Sequence, residues 1–205
     1  MRILFYIMLF VVVFPCWSSP EDLIPGVLTF EPPTFLSARP PVQDSTNSES
    51  GIRIIRRYAA ADNDPRTSQR LLVVSLRKVG TIPDSGKIAA DGQLDNQALC
   101  AAMQATVNSI PNATNVTPLI HAEVGGRTGW RIAYQLPRPY WQKPAGELFP
   151  YEIYWVRLQT NQVVEIKLVA DSSEHLQTLQ TCLPRFKLTQ SNSSAAASET
   201  TGITP

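Results

Sequence analysis

The sequence predicts an α+β fold in which a single antiparallel β-sheet carries two helices packed on one face. Three observations lead to this class. Several strand-length segments are rich in branched apolar residues, two segments have apolar residues at helical spacing, and all of them lie in one stretch of chain. That stretch, residues 51–188, has the size of one ordinary domain.

Four segments in the first part of this domain have the composition of strands. They are IRIIRRYA (52–59), RLLVVSLRKVG (70–80), VTPLIHAEV (116–124) and GWRIAYQLP (129–137). Each is rich in β-branched or aromatic residues and is bounded by turn residues. The last two meet at the glycine turn GGRTG, which predicts a hairpin.

Residues 151–169 are predicted to form a second hairpin, which turns at Thr160 and Asn161. Asparagine tolerates the positive φ that two-residue turns require. This turn pairs Trp155 with Ile166 and puts the apolar residues on one face, whereas a shift of one residue would mix them. We therefore expect the hairpin to bury one face only.

Two segments have the apolar spacing of helices. In QLDNQALCAAMQATVNSI (93–110), apolar residues recur at helical spacing after Asp95, which is a good N-cap. In ADSSEHLQTLQTCL (170–183), Asp171 and Glu174 have the spacing of a capping box, and the leucines form one stripe.

The closing segment VVEIKLVADSSEHLQTLQTCLPRFKL (163–188) resembles the end of the PsbP-like fold. The resemblance lies in the order of a hairpin, an acidic-serine cap, an amphipathic helix and a short FKL strand. Domains of that fold are mostly non-catalytic, so the resemblance implies an accessory or binding module. It implies no site residues, because no residue motif of the group is matched.

The N-terminus has the pattern of a secretory signal peptide. Arg2 precedes an apolar run that is too short to cross about 30 Å of hydrocarbon but has the length of a signal-peptide core. Cleavage after Ser18 is predicted, and a retained anchor or a lipoprotein at Cys16 are the alternatives. Removal of residues 1–18 leaves 17 basic and 17 acidic residues. We therefore expect an exported chain with no membrane span after cleavage and no net charge to attract nucleic acid.

Two further segments are predicted to lie outside the packed domain. Residues 19–50 are rich in proline and polar residues, so we expect a flexible arm there. Residues 189–205 are small and polar without periodicity, which predicts a disordered tail.

Cys100 and Cys182 are the two cysteines that remain after cleavage. An even pair in an exported chain permits a disulfide. Two helices on one sheet face would bring these residues together, so a Cys100–Cys182 bridge is predicted. Two separate buried thiols are the alternative.

The sequence contains no pattern typical of catalysis or metal binding. His121 and His175 have no metal-ligand spacing, and no serine lies in a G-x-S-x-G motif. We therefore expect no enzymatic activity, no cofactor and no metal. A hydrolase with an unrecognised site is the remaining enzymatic alternative.

Two surfaces are candidate binding sites. The first is a candidate anion-binding face on the first two strands, formed by Arg53, Arg57 and Arg77. Strict alternation of side chains would put Arg53 and Arg57 on the same side of their strand. Tyr140 and Trp141 lie in a proline-stiffened loop suited to contact a partner.

These observations together predict an exported, non-catalytic binding or accessory module of the cell envelope. Its partner would be an unknown protein or an anionic envelope polymer. A small-ligand carrier with a pocket between sheet and helices is the alternative.

Overall fold

The structure is a computed structural model and describes residues 19–40, 46–47, 51–60, 70–79, 96–138, 147–159 and 162–189. Within these ranges the helices are α1 (Asn96–Asn108) and α2 (Ser173–Gln180), followed by a 3₁₀ turn at Leu183–Arg185. The strands are β1 (Glu21–Ile24), β2 (Leu28–Phe30), β3 (Leu36–Arg39), β4 (Thr46–Asn47), β5 (Ile52–Ala60), β6 (Arg70–Lys78), β7 (Ile120–Val124), β8 (Arg127–Pro137), β9 (Leu148–Gln159), β10 (Gln162–Ala170) and β11 (Phe186–Leu188). In this described part of the chain, no helix is long and apolar enough to cross a membrane.

The described strands form two antiparallel sheets. The large sheet has the order β3-β5-β6-β10-β9-β8-β7, and β4 pairs with β5 beside β3. The small sheet has the order β1-β2-β11, so it joins the N-terminal strands to the last strand. The α+β class and the predicted strands and helices are confirmed. The prediction of a single sheet is wrong.

Residues 19–40 form three strands, which corrects the prediction of a flexible arm for this part of 19–50. Leu28 and Phe30 in β2 are completely buried and anchor the segment in the core. The prolines of this segment interrupt none of the strands, because each lies outside a strand, where no ladder hydrogen bond is lost. They are Pro20, Pro25, Pro32, Pro33 and Pro40.

The two helices lie on opposite faces of the large sheet, which corrects the prediction that they share one face. Leu179 of α2 belongs to a buried core together with Tyr154 of β9. Leu99 of α1 belongs to a second core together with Trp155 of β9. Because consecutive residues of a strand point to opposite faces, the two cores lie on either side of the sheet. We name these sides the α2 face and the α1 face.

The β9–β10 hairpin is paired one residue away from the predicted register. The pairing shifts after Gln162, so that Trp155 faces Glu165 rather than Ile166. The prediction assumed that one face is buried and the other is not. Both faces are covered here, so sorting the apolar residues onto one face does not determine the register.

Helix α2 is capped by Ser172 rather than by the predicted Asp171. The Ser172 hydroxyl accepts a hydrogen bond of 3.2 Å from the backbone N–H of His175. The Asp171 carboxylate instead contacts the His175 ring. The predicted N-cap of α1, Asp95, lies outside the described residues.

A buried carboxylate attaches α2 to the sheet. Glu152 of β9 is only 1% exposed. It accepts hydrogen bonds from the Tyr154 hydroxyl (2.5 Å), from Nε2 of Gln180 at the end of α2 (2.8 Å) and from Nε of Arg131 (2.9 Å). These donors compensate the cost of burying the charge. Desolvation and the bond to Glu152 raise the pKa of the Tyr154 hydroxyl.

Cys100 and Cys182 are free thiols, which contradicts the predicted disulfide. Cys182 is fully buried in the core of the α2 face, whereas Cys100 packs against the core of the α1 face. The sheet separates them, and a disulfide needs Cα atoms within about 7 Å. The prediction failed because it assumed that both helices cover the same face. Burial raises the pKa of Cys182 to about 11 and also raises that of Cys100.

The turn between β7 and β8 packs closely on β11. Gly125 and Gly126 both have positive φ, at 58° and 76°. A Cβ on Gly125 would lie 2.3 Å from the carbonyl oxygen of Phe186, whereas a Cβ on Gly126 would meet nothing within 4 Å. Gly125 is therefore required both for the backbone conformation and for the contact between the two sheets.

The separation of the cysteines predicts their reactivity. In the native protein, iodoacetamide should modify half-buried Cys100 at least about tenfold faster than fully buried Cys182, because Cys182 reacts only when the core opens. After unfolding without a reductant, both thiols should be modified. Peptide mass mapping measures both results, and recovery of a linked Cys100–Cys182 peptide would contradict the structure.

The glycine turn gives a matched pair of variants. Gly125→Ala should lower the free energy of unfolding by roughly 3 kcal/mol or more, because it combines backbone strain with a clash against backbone atoms. Gly126→Ala should cost only about 1–2 kcal/mol, from strain alone. Urea unfolding measures both values, and equal losses would show that Gly125 does not pack on β11.

Candidate functional site: a basic cleft on the large sheet

The α1 face of the large sheet is only partly covered by α1. The helix packs over β8 and β9, against core residues such as Ile132 and Ile153. Over β5 and β6, the same face forms a cleft of about 770 Å³, a volume usual for ligand sites. Its charged lining residues are Arg39, Arg57, Arg77, Lys167 and Glu165. Four of these five are basic, and we name this site the basic cleft.

A β-bulge in β5 determines which arginines reach the cleft. The pairing of β5 with β6 shifts between Ile54 and Arg56, which leaves Ile55 as the extra residue. Ile54 before the bulge and Arg57 after it both line the cleft, and Arg53 points to the opposite face. Strict alternation put Arg53 and Arg57 on one side, and it fails at the bulge.

A buried ion pair forms the floor of the cleft. The guanidinium of Arg77 donates through Nε and Nη2 to Oε2 of Glu165, at 2.9 Å in both cases. The indole Nε1–H of Trp155 donates to the same oxygen at 2.8 Å, and the guanidinium carbon lies 5.2 Å from the centre of the indole ring. The two charged side chains are only 9% and 6% exposed. The charge of Arg77 is thus neutralised within the fold.

Three other cations lie in one row across the sheet, which we name the basic row: Arg39, Arg57 and Lys167. Arg39 of β3 pairs directly with Arg57 of β5, and Val73 of β6 lies between Arg57 and Lys167 of β10. Like charges directly opposite one another on neighbouring strands are unfavourable. No ion pair among the described residues neutralises any of the three.

Among the described residues, one nitrogen of the basic row has no hydrogen-bond partner. The Nε–H of Arg57 is buried, and no acceptor in the described part of the chain contacts it. A buried donor without a partner costs about 1–3 kcal/mol. An oxyanion in the cleft would accept this hydrogen bond and reduce the repulsion along the row. The cleft is therefore a candidate anion-binding site.

The structure brings together two of the five predicted binding residues. Arg57 and Arg77 both line the cleft, but Arg77 is occupied by Glu165. Arg53 lies on the other face of β5. Tyr140 and Trp141 lie outside the described residues, so the aromatic surface stays a prediction.

Sequence reasoning missed Arg39, Lys167, Glu165 and Trp155. Arg39 fell in the segment predicted to be a flexible arm. Glu165 and Lys167 did give a signal, because they are charged residues at alternate positions of an otherwise apolar strand. Such a pattern indicates that one face of the strand meets polar groups.

The histidines form no second candidate site in the described part of the chain. His175 contacts Asp171 at the start of α2, and the ring of His121 lies 6.1 Å from that of Trp130. Among the described residues, no group of three or more His, Cys, Asp and Glu side chains could hold a metal ion.

Comparison with known proteins shows a shared fold at low sequence identity. No protein-family model and no curated protein matches the sequence. LpqN of Mycobacterium tuberculosis, described as involved in cell envelope biogenesis, matches with a TM-score of 0.52 and 13% identity, over 84% of this chain and 85% of LpqN.

Two other solved structures match at similar identity. Cyanobacterial PsbP (CyanoP) from Synechocystis has a TM-score of 0.49 and 13% identity, over 87% of this chain and 96% of CyanoP. The Ran-binding protein Mog1p of Saccharomyces cerevisiae has a TM-score of 0.48 and 14% identity, over 84% of this chain and 95% of Mog1p. LpqN has the PsbP-like fold, so the resemblance of residues 163–188 to that fold is confirmed. At these identities the likeness concerns the fold alone.

The buried ion pair on the cleft floor is expected to be important for stability. Glu165→Gln should lower the free energy of unfolding by about 3–5 kcal/mol, because it leaves the Arg77 charge buried without a counter-charge. The matched control is Glu21→Gln in the pair with Arg56, whose side chains are 28% and 39% exposed. That change should cost about 1 kcal/mol or less. Chemical denaturation measures both, and equal effects would contradict a buried pair.

Proposed function

We propose that this protein is an exported, non-catalytic binding module of the cell envelope that holds an anionic group in the basic cleft. The observation that carries the proposal is the basic row. Arg39, Arg57 and Lys167 converge in a concave site, and no ion pair in the described part of the chain neutralises them. A bound anion would supply the missing counter-charge.

Two points support an envelope location. Residues 1–18 have the charge and apolar pattern of a signal peptide. LpqN, which shares the fold, is described as involved in cell envelope biogenesis.

The chemistry of the cleft supports binding rather than catalysis. The basic row consists of arginine and lysine side chains, which offer hydrogen-bond donors and no acceptor. Glu165, the one acidic residue of the described lining, is held by Arg77 and Trp155. Its carboxylate is already used in the floor of the cleft, so the described lining offers no pair of groups for acid–base chemistry.

The same cleft favours an inserted ligand group over a flat protein contact. A cleft of about 770 Å³ surrounds its ligand, whereas protein partners usually meet over broad surfaces. The small-ligand carrier is therefore the second candidate function, and an anionic envelope polymer that inserts one charged group is compatible with both.

The proposal predicts that the basic cleft binds a polyanion and that the other charged surfaces do not. Arg57→Gln with Lys167→Gln should weaken the binding of the full chain to immobilised polyphosphate by about tenfold or more, because two charge-assisted contacts are lost. The matched control, Arg53→Gln with Lys187→Gln, removes the same charge from exposed positions outside the cleft and should change binding less than about twofold. Surface plasmon resonance at physiological salt measures both affinities.

Equal losses in the two double variants would mean that net charge alone drives the interaction, and the proposal would be wrong. The protein can also be tested with generic ester, peptide or glycoside probes. Turnover that disappears with one substitution would contradict the proposal that the protein is non-catalytic. Circular dichroism of each variant confirms that the fold is retained.

A further inference from the structure

The basic cleft has apolar residues on both sides of the basic row. Ile52 and Ile54 of β5 line it on one side of the basic row, and Ala59 and Leu71 line it on the other. Val73 lies within the row itself, between Arg57 and Lys167. An ion that is surrounded by water gains nothing from such residues, because apolar surface favours contact with apolar groups.

Two chemical requirements on a ligand follow from this lining. The three cations of the basic row suit a group that carries more than one negative charge and several acceptor oxygens, as a phosphate monoester does. The apolar residues suit a hydrocarbon segment attached to that group. A free inorganic anion meets only the first requirement, and a neutral amphiphile meets only the second.

We propose that the basic cleft binds an anionic amphiphile, in which a phosphate monoester lies on the basic row and an apolar stem lies against the isoleucines of β5. The proposal rests on the proposed function and specifies the ligand class for the same site. The Nε–H of Arg57, which is buried and has no acceptor in the described part of the chain, donates to the phosphate. Arg39 and Lys167 approach it from the strands on either side.

The bulge in β5 selects the arginine of this combination. With regular alternation along β5, Arg56 rather than Arg57 would lie on the α1 face. The bulge thus puts Arg57 into the same cleft as Ile52 and Ile54. Ile54 and Arg57 provide the apolar contact and the charged contact within three positions of each other.

The test uses isothermal titration calorimetry of the full chain with three probes at concentrations below micelle formation. They are octyl phosphate, inorganic phosphate and octyl glucoside. Octyl phosphate should bind at least about tenfold more tightly than either of the others, since only it meets both requirements. Inorganic phosphate tests whether a free anion is sufficient for binding. Octyl glucoside tests whether an uncharged apolar stem is sufficient.

Three variants test which residues contact the phosphate and which contact the apolar stem. Arg57→Gln should weaken octyl phosphate binding by about tenfold or more, and Lys167→Gln should weaken it as well. Ile54→Ser should weaken octyl phosphate but leave inorganic phosphate unchanged, because it removes only the contact to the stem. Arg53→Gln, on the same strand but the opposite face, is the control and should change neither affinity by more than about twofold.

Each contrary outcome has a distinct meaning. Equal binding of octyl phosphate and inorganic phosphate would show that the apolar stem adds no affinity. The proposed anion site would still stand. Equal binding of octyl phosphate and octyl glucoside would show that the phosphate group contributes nothing to binding, and it would contradict both this inference and the proposed function. All three probes could fail to bind while polyphosphate binding still depends on Arg57 and Lys167. That result would contradict an amphiphilic ligand and would support an anionic polymer as the ligand.

Discussion

The pairing of Trp155 with Glu165 across β9 and β10 is the constraint on which the rest of the structure depends. This register brings the indole N–H to the carboxylate, and the carboxylate then holds Arg77 in a buried position. Isolated burial of either charge would be costly, so the three side chains stabilise one another as a unit. Arg77 and Glu165 form the floor of the cleft, and their pairing withdraws one basic residue from solvent.

The same register divides the molecule into two cores. Trp155 and its neighbours on the α1 face meet α1, while Tyr154 and its neighbours meet α2 and the small sheet. A sheet with both faces covered has apolar residues at consecutive positions, which removes the strict alternation of an exposed sheet. The basic cleft is the part of the α1 face that α1 does not cover. Its position on the fold thus follows from the length and placement of one helix.

The elements themselves could be predicted from local sequence, but their arrangement could not. Branched apolar segments and the leucine stripe of α2 identified the strands and helices, because these patterns depend on neighbouring residues only. The bulge at Ile55 and the shift after Gln162 each change the side to which all following residues point, and no residue type marks them. The placement of Arg53 and Arg57 on one face was wrong because of the bulge, and the Cys100–Cys182 bridge was wrong because the two helices cover opposite faces.

The candidate site shows the same limit. Arg57 and Arg77 could be predicted as basic residues on adjacent strands, which is a local observation. Lys167 and Arg39 could not, because they reach the cleft from strands that are distant in the sequence.

The pairing of β2 near residue 30 with β11 near residue 186 has a further consequence for folding. Contacts between such distant segments make folding slow, and β1 and β2 can join their sheet only after the last strand has been synthesised. The small sheet should therefore form late in folding, because it needs segments from both ends of the domain at the same time.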